Sequence, residues 1–175
     1  MELLLGAGQS RQKKLVVENK HQWDDLITLD MNPDHKPDVV HDLDVLPYPF
    51  ADNTFAEIHA YDVMEHCGKL GDWRFFFAQW TELWRISKPG GVFLGISPHV
   101  SSPWAWGDPG HTRIITAESL HFLDQSKYWQ VGATAMSDYR PYYHADWTIL
   151  HTQVDDGKRL QWALRAVKPA RNQEP

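Results

Sequence analysis

The chain is 175 residues long and 42% hydrophobic, which fits one soluble globular domain with one sizeable core. Its formal net charge of −6 argues against nucleic acid as the main partner, because polyphosphate binders present a basic face. The single cysteine, Cys67, excludes an internal disulfide, and no apolar run approaches the ~20 residues that span a bilayer.

The chain opens with a short apolar run, Glu2 to Leu5, which ends at Gly6-Ala7-Gly8. This opening is too short for a signal peptide and carries Glu2, so the expected compartment is the cytoplasm. The basic residues Arg11, Lys13 and Lys14 follow and read as a solvated turn, with a local basic patch as the alternative. Leu26 to Leu29 is a second run, ending at Asp30; Val39-Val40 is a third, ending at His41-Asp42; Phe55 to Ala60 is a fourth, ending at Tyr61-Asp62. Short continuous runs bounded by turn residues suit buried parallel strands. From Asp72 to Ser87, apolar Trp73, Phe76, Phe77, Trp80, Leu83 and Trp84 step by three and four, so the spacing predicts a helix capped by Asp72. Lys88-Pro89-Gly90-Gly91 stops that helix and leads into a fifth run, Val92 to Ile96.

Pro98 to Ile115 reads as a long irregular loop, of the kind that often carries function. A second helix is expected from Ala117 to Asp124, capped by Thr116. Trp147 to Gln153 and Leu160 to Val167 read as two strands joined by a tight Asp-Gly turn. The domain is therefore expected to cover residues 1–169, with a disordered tail over 170–175. Most of the nine tryptophans are expected in the core. The fold expected is α/β, with a mostly parallel sheet that carries an antiparallel hairpin at one end.

Five blocks in this order resemble one family. Leu5-Gly6-Ala7-Gly8 is similar to the first glycine motif of class I S-adenosylmethionine (SAM)-dependent methyltransferases, and Asp30 to the acid ending their second strand. The segment from His41-Asp42-Leu43 through Leu46-Pro47-Tyr48-Pro49-Phe50 to Asp52-Asn53-Thr54-Phe55 resembles the family's "Asp-Leu … Leu-Pro-Phe-Pro-Asp-Asn-Ser-Phe" stretch. Val63-Met64-Glu65-His66 resembles "Val-Leu-Glu-His", and Trp84-Arg85-Ile86-Ser87-Lys88-Pro89-Gly90-Gly91 resembles "Trp-Arg-Val-Leu-Lys-Pro-Gly-Gly". The type-11 branch, with a short first crossover, is the nearest in pattern. The resemblance implies a three-layer Rossmann-like fold with a seven-stranded sheet, SAM as cofactor, and methyl transfer to an unidentified, small-molecule or macromolecule-borne acceptor.

It also implies roles. Gly6, Ala7, Gly8 and Gln9 would meet the methionine end of SAM, because glycines let backbone approach a ligand closely. Asp30, 22 positions after Gly8, would accept from the ribose hydroxyls, with Met31 beside it; its alternative is a turn aspartate before Asn32-Pro33. Asp42 and Leu43 would meet the adenine, and Tyr61 and Asp62 would lie at the carboxyl edge of the fourth strand. Glu65, His66, Trp104, Trp106, His111 and Arg113 are candidates for the acceptor side. His66 is the candidate general base, against a substrate-orienting or purely structural histidine.

Leu4 and Ser10 depart from the family pattern, which keeps open a non-catalytic binding module of the same fold. A nicotinamide-dependent oxidoreductase fits less well, since Arg11 occupies the third glycine position of that motif. With the first strand opening the sequence, one side of the pocket is expected to be open or closed by a partner, with a homodimer as one arrangement. With no His-Glu-x-x-His, no Cys-x-x-Cys, and no diagnostic spacing among His99, Asp108 and His111, no metal is expected.

Overall fold

In the computed structural model, which describes residues 1–171, the strands are β1 (Glu2–Leu5), β2 (Leu26–Asp30), β3 (Val39–Val40), β4 (Phe55–Tyr61), β5 (Ser87–Pro98), β6 (Trp147–Val154) and β7 (Arg159–Ala166). The helices are α1 (Trp73–Ile86), α2 (Pro103–Gly107) and α3 (Ala117–His121), with 3-10 turns at Pro33–His35, Met64–His66 and Gln125–Gln130. The strands form one sheet in the order β3-β2-β1-β4-β5-β7-β6. Neighbours from β3 to β5 run parallel, and β7 pairs antiparallel with both β5 and β6. The sheet is therefore mostly parallel, with the antiparallel hairpin read from the sequence.

Register places the strand ends side by side. Leu5 pairs with Leu29 and with Ala60, Asp30 with Val40, and Tyr61 with Ile96. The residues that leave β1, β2, β3 and β4 thus emerge along one edge, the carboxyl edge where open α/β sheets bind ligands.

Strand side chains alternate between faces. Leu3, Leu5, Ile58, Ala60 and Phe93 belong to the main core together with Phe77, Trp80 and Leu83 of α1. Asp72 caps α1 by accepting from the Phe75 amide at 3.0 Å. Trp80 is fully buried and meets Phe93 and Trp147 at ring separations of 5.3 and 6.4 Å. Trp80, Trp147 and Trp162 are buried in the core and Trp23, Trp73 and Trp84 pack against it, while Trp104, Trp106 and Trp129 are more than 60% exposed.

The other face departs from the expected helical layer. No helix lies in the crossover between β1 and β2; an irregular segment covers Leu4, Ala7, Tyr61 and Ile96 with Leu15 and Trp23. Arg11, Lys13 and Lys14 each find an anionic or carbonyl partner, although Lys14 stays exposed, so the segment is only in part the solvated turn expected. Lys13 Nζ is buried, 3.2 Å from Glu2 and 2.7 Å from Glu57. Arg11 donates to the Gly8 carbonyl at 2.8 Å and to the His35 carbonyl at 3.2 Å. Lys14 lies 3.7 Å from Asp62 and over the Tyr61 ring.

Under this cover a polar chain is closed: the Tyr61 hydroxyl donates to His59 Nδ1 (2.7 Å), and His59 Nε2–H donates to Glu57 (3.0 Å). Burial pushes the Glu57 carboxyl up, but the bonds from His59 and Lys13 outweigh it and hold it at about 2. A depressed carboxylate stabilises the fold above its unfolded value near 4.5 and loses that contribution as pH falls through 2. Urea titrations are therefore expected to show up to about 3 kcal/mol lost between those limits, and a shallower loss in Glu57→Gln. His59, lowered by burial, leaves a residual slope that begins below its ordinary 6.5. An unchanged acid slope in Glu57→Gln would contradict this clamp.

Ala170 is buried and Arg171 pairs with Asp146 at 2.7 Å and Asp124 at 2.8 Å, so the ordered chain continues through both. The rest of the expected tail, 172–175, lies outside the described residues. Among the described residues no helix is long and apolar enough to cross a membrane.

Candidate functional site at the carboxyl edge of the sheet

A cavity of about 490 Å³ opens where the strand ends converge. Its wall is Gly6, Leu29, Asp30, Met31, Asn32, His35, His41, Asp42, Leu43, Asp44, Asp62, Val63, His66 and Cys67. That volume is within the range of small-molecule sites, roughly 300–1,000 Å³. The turns after β1, β2, β3 and β4 all contribute. Four aspartates line the cavity and no lysine or arginine does.

Asp30 organises the first turn. Its Oδ2 accepts from the Gly8 amide at 2.7 Å, its Oδ1 accepts from the Asn32 amide at 2.8 Å, and His35 Nδ1 lies 3.2 Å from Oδ1. Burial pushes this carboxyl up, but the Asn32 and Gly8 amides and His35 outweigh it and hold it below its ordinary value. Oδ1 thus faces two partners, whereas Oδ2 accepts from Gly8 alone and keeps a lone pair for a further donor. Arg11 holds the Gly8 carbonyl from the other side, so the glycine turn is pinned at both its N–H and its C=O.

Gly6 and Gly8 adopt φ of +54° and +53°. At Gly8 an added Cβ would meet nothing within 4 Å. Gly8→Ala is therefore expected to cost only the left-handed backbone penalty, about 1–2 kcal/mol, measurable by denaturant unfolding. A loss several times larger would mean that the turn is packed more tightly than this geometry shows.

Asp62, a non-glycine residue at φ +59°, ends β4. Its amide donates to the Ile96 carbonyl at 2.8 Å, which holds this sparsely populated conformation and leaves the carboxylate at the cavity. Asp42 Oδ1 accepts from the Asp44 amide at 2.9 Å, and Asp44 Oδ1 accepts from the Gly68 amide at 2.9 Å.

Of the residues expected on the cofactor side, Gly6, Asp30, Met31, Asp42, Leu43 and Asp62 stand in this wall. Gly8 stands behind it on Asp30, and Gln9 is exposed. Ala7 and Tyr61 are turned to the opposite face, in the small cluster under the crossover. For Tyr61 the reason is its hydroxyl, which accepts from the Lys14 and Leu15 amides at 3.2 Å each and is thereby spent. The wall also contains Asn32, His35 and Cys67, which carry no expected cofactor role, and His41, Asp44 and Val63, which belong to the motif blocks. Burial pushes the Cys67 thiol up to about 11, so it stays a neutral wall group.

A second cavity, about 330 Å³, adjoins the first through Asp62 and His66. It is lined by Glu65, Pro98, Ser102, Trp104, Asp108, His111, Gly157 and Arg159 as well. The loop before it is not wholly irregular: Ser102 caps the short helix α2, which carries Trp104 at 69% exposure. Trp106 lies outside this lining, its indole donating to the Val100 carbonyl at 3.0 Å. Arg113, expected at the acceptor side, is buried instead. Its Nε donates to the Met64 carbonyl at 2.9 Å and its guanidinium also meets Gln79, so it fixes the Met64–His66 turn from within. Burial pushes the Glu65 carboxyl up to about 8, with Asp62 adding to the shift.

Comparison with solved structures places this architecture. The fold is similar to a SAM-dependent methyltransferase from Archaeoglobus fulgidus, with 14% identity over 94% of this chain and 85% of that one, at a TM-score of 0.56. It is similar to a SAM-dependent methyltransferase from Mesorhizobium loti, with 13% identity, 94% and 89% coverage and a TM-score of 0.53. It is also similar to a 16S rRNA adenine methyltransferase from Catenulisporales acidiphilia, with 12% identity, 97% and 86% coverage and a TM-score of 0.54. No protein-family model matches the chain, and no curated protein matches its sequence. The chain thus has the α/β Rossmann-like fold of class I SAM-dependent methyltransferases, and at these identities the likeness is one of fold.

Proposed function

We propose that this protein is a SAM-dependent methyltransferase of the type-11-like branch, acting on a small-molecule acceptor. The observation that carries the reading is the acidic cavity: four strand-end turns meet around one volume lined by four aspartates and three histidines, with no lysine or arginine. Such a wall suits a ligand with hydroxyls, amino groups and a positive charge, and it repels a pyrophosphate, which needs amide nests or basic side chains. This weighs against the nicotinamide alternative.

On this reading Asp30 accepts from the ribose hydroxyls, and Asp42 accepts from the adenine amino group. Met31, 68% exposed at the cavity, and Leu43 offer apolar surface to the ring. Gly6 keeps backbone close to the methionine end, and Asp62 attracts its ammonium. SAM, when bound, supplies a methyl group on a sulfonium that is already electrophilic. The chain's own task is to orient the acceptor and exclude water. The adjoining cavity places Trp104 against the acceptor. His66 Nδ1–H donates to the Gly110 carbonyl at 3.0 Å, which leaves Nε2 with a free lone pair on that side.

The reading is tested by incubating the protein with methyl-labelled SAM and a fractionated small-molecule extract. The expected result is label in one acceptor together with S-adenosylhomocysteine in equal amount. Binding of S-adenosylhomocysteine without transfer to any fraction would overturn the catalytic assignment in favour of a non-catalytic binding module.

A further inference from the structure

Glu65, His66 and His111 each place a ligand atom within 4.8 Å of the others. Seven buried side-chain polar atoms lack a hydrogen-bond partner among the described residues, and three of them, both Glu65 oxygens and His111 Nδ1, belong to this cluster. Glu65 is 2% exposed, and the His111 side chain 7%. Burying a carboxyl with neither oxygen satisfied costs free energy that a bound cation would offset.

The surroundings are those of a built site. A carbonyl only accepts, so the Gly110 contact fixes His66 with its proton on Nδ1 and its lone pair on Nε2. Asp108 shapes that turn by accepting from the Gly110 amide at 2.8 Å. Its other oxygen lies 3.8 Å from His111 Nε2, too far for a hydrogen bond but near enough to place a negative charge beside the ring. The two segments are tied together: the Glu65 carbonyl accepts from the Thr112 and Arg113 amides at 3.0 and 3.2 Å.

We propose that Glu65, His66 and His111 hold a divalent first-row transition-metal ion, with Zn²⁺ as the reference case. Two imidazoles and one carboxylate favour such an ion over Mg²⁺ or Ca²⁺, which prefer all-oxygen sets. Ligand atoms around a tetrahedral Zn²⁺, with bonds of about 2.0–2.1 Å, sit roughly 3.4 Å apart, so side-chain rotations close the cluster without moving its backbone. Three protein ligands leave an exchangeable position, the pattern of a reactive rather than a closed structural centre. The cation takes the Nε2 lone pair of His66 that is otherwise open to a proton. The site lies in the acceptor-side cavity and claims the same His66 lone pair, but it does not depend on SAM being bound.

The test is titration of metal-free full-length protein with Co²⁺, in the absence of SAM, followed by visible absorption and by thermal melting. The expected result is one equivalent of Co²⁺, displaced by Zn²⁺ and not by millimolar Mg²⁺, with the metal raising the melting temperature. His111→Ala and Glu65→Gln are expected to weaken binding at least about 100-fold, beyond the 10–100-fold typical of losing an outer partner. His151→Ala, an exposed histidine on β6, should bind as the parent does. Glu65→Gln keeps the side-chain shape and gives the answer even if His111→Ala fails to fold. Absence of stoichiometric binding, or binding unchanged in Glu65→Gln, would overturn the site; neither outcome bears on SAM binding.

Discussion

Asp30→Ala is expected to weaken S-adenosylhomocysteine binding at least about 100-fold, or roughly 2.7 kcal/mol, in calorimetry. The carboxylate serves twice. It holds the Gly8 and Asn32 amides at 2.7 and 2.8 Å, and it stands in the cavity wall with a lone pair of Oδ2 unspent. Hydrogen bonds to a charged group contribute about 1.5–3 kcal/mol each, and deleting one partner leaves an amide unsatisfied. The Gly8 amide then loses its partner, and the glycine turn is left with the Ala7 amide on the Leu29 carbonyl at 3.1 Å and Arg11 on the Gly8 carbonyl at 2.8 Å. Loss of affinity should therefore come with a lower melting temperature. Asp30→Asn, which keeps one acceptor oxygen but offers an NH₂ to an amide donor, should fall between. Parental affinity in Asp30→Ala would show that the carboxylate only builds the turn.

Gly6→Ala carries the largest expected loss of stability, about 2–5 kcal/mol. Two independent terms add. At φ +54° an L side chain costs about 1–2 kcal/mol. A Cβ there would also overlap both γ carbons of Val63, and overpacking a stiff β-branched neighbour costs about 1–3 kcal/mol. Val63 lines the aspartate-lined cavity, so its displacement should weaken ligand binding there as well. Gly8→Ala pays only the first term, so the difference between the two variants isolates the collision with Val63. Equal unfolding free energies for the two would contradict this packing.

Much of this architecture is written locally. Each strand ends on a residue that cannot continue it comfortably, such as Gly6, Asp30 or Asp62, and those ends are what the register brings together. The α1 stripe and its Asp72 cap are likewise local signals. What escaped the sequence depends on partners far along the chain. Lys13 looks like a surface lysine until Glu2 and Glu57 are placed beneath it. Tyr61 ends a strand buried on both faces, where alternation gives no sign of which side its ring takes. Arg113 sits in a polar loop, yet its guanidinium is drawn inward by the Met64 carbonyl and Gln79. Glu65-His66 and His111 share no spacing motif; they meet because the Glu65 carbonyl binds the Thr112 and Arg113 amides.

On the proposed function, the aspartate-lined cavity is expected to select a cationic adenosyl ligand. Calorimetry of the purified protein with SAM, and in parallel with NADH, tests it most directly. Saturable one-to-one binding of SAM at concentrations up to about 1 mM, with none for NADH, is the predicted result. Saturation by NADH, or no saturable heat with SAM, would contradict it.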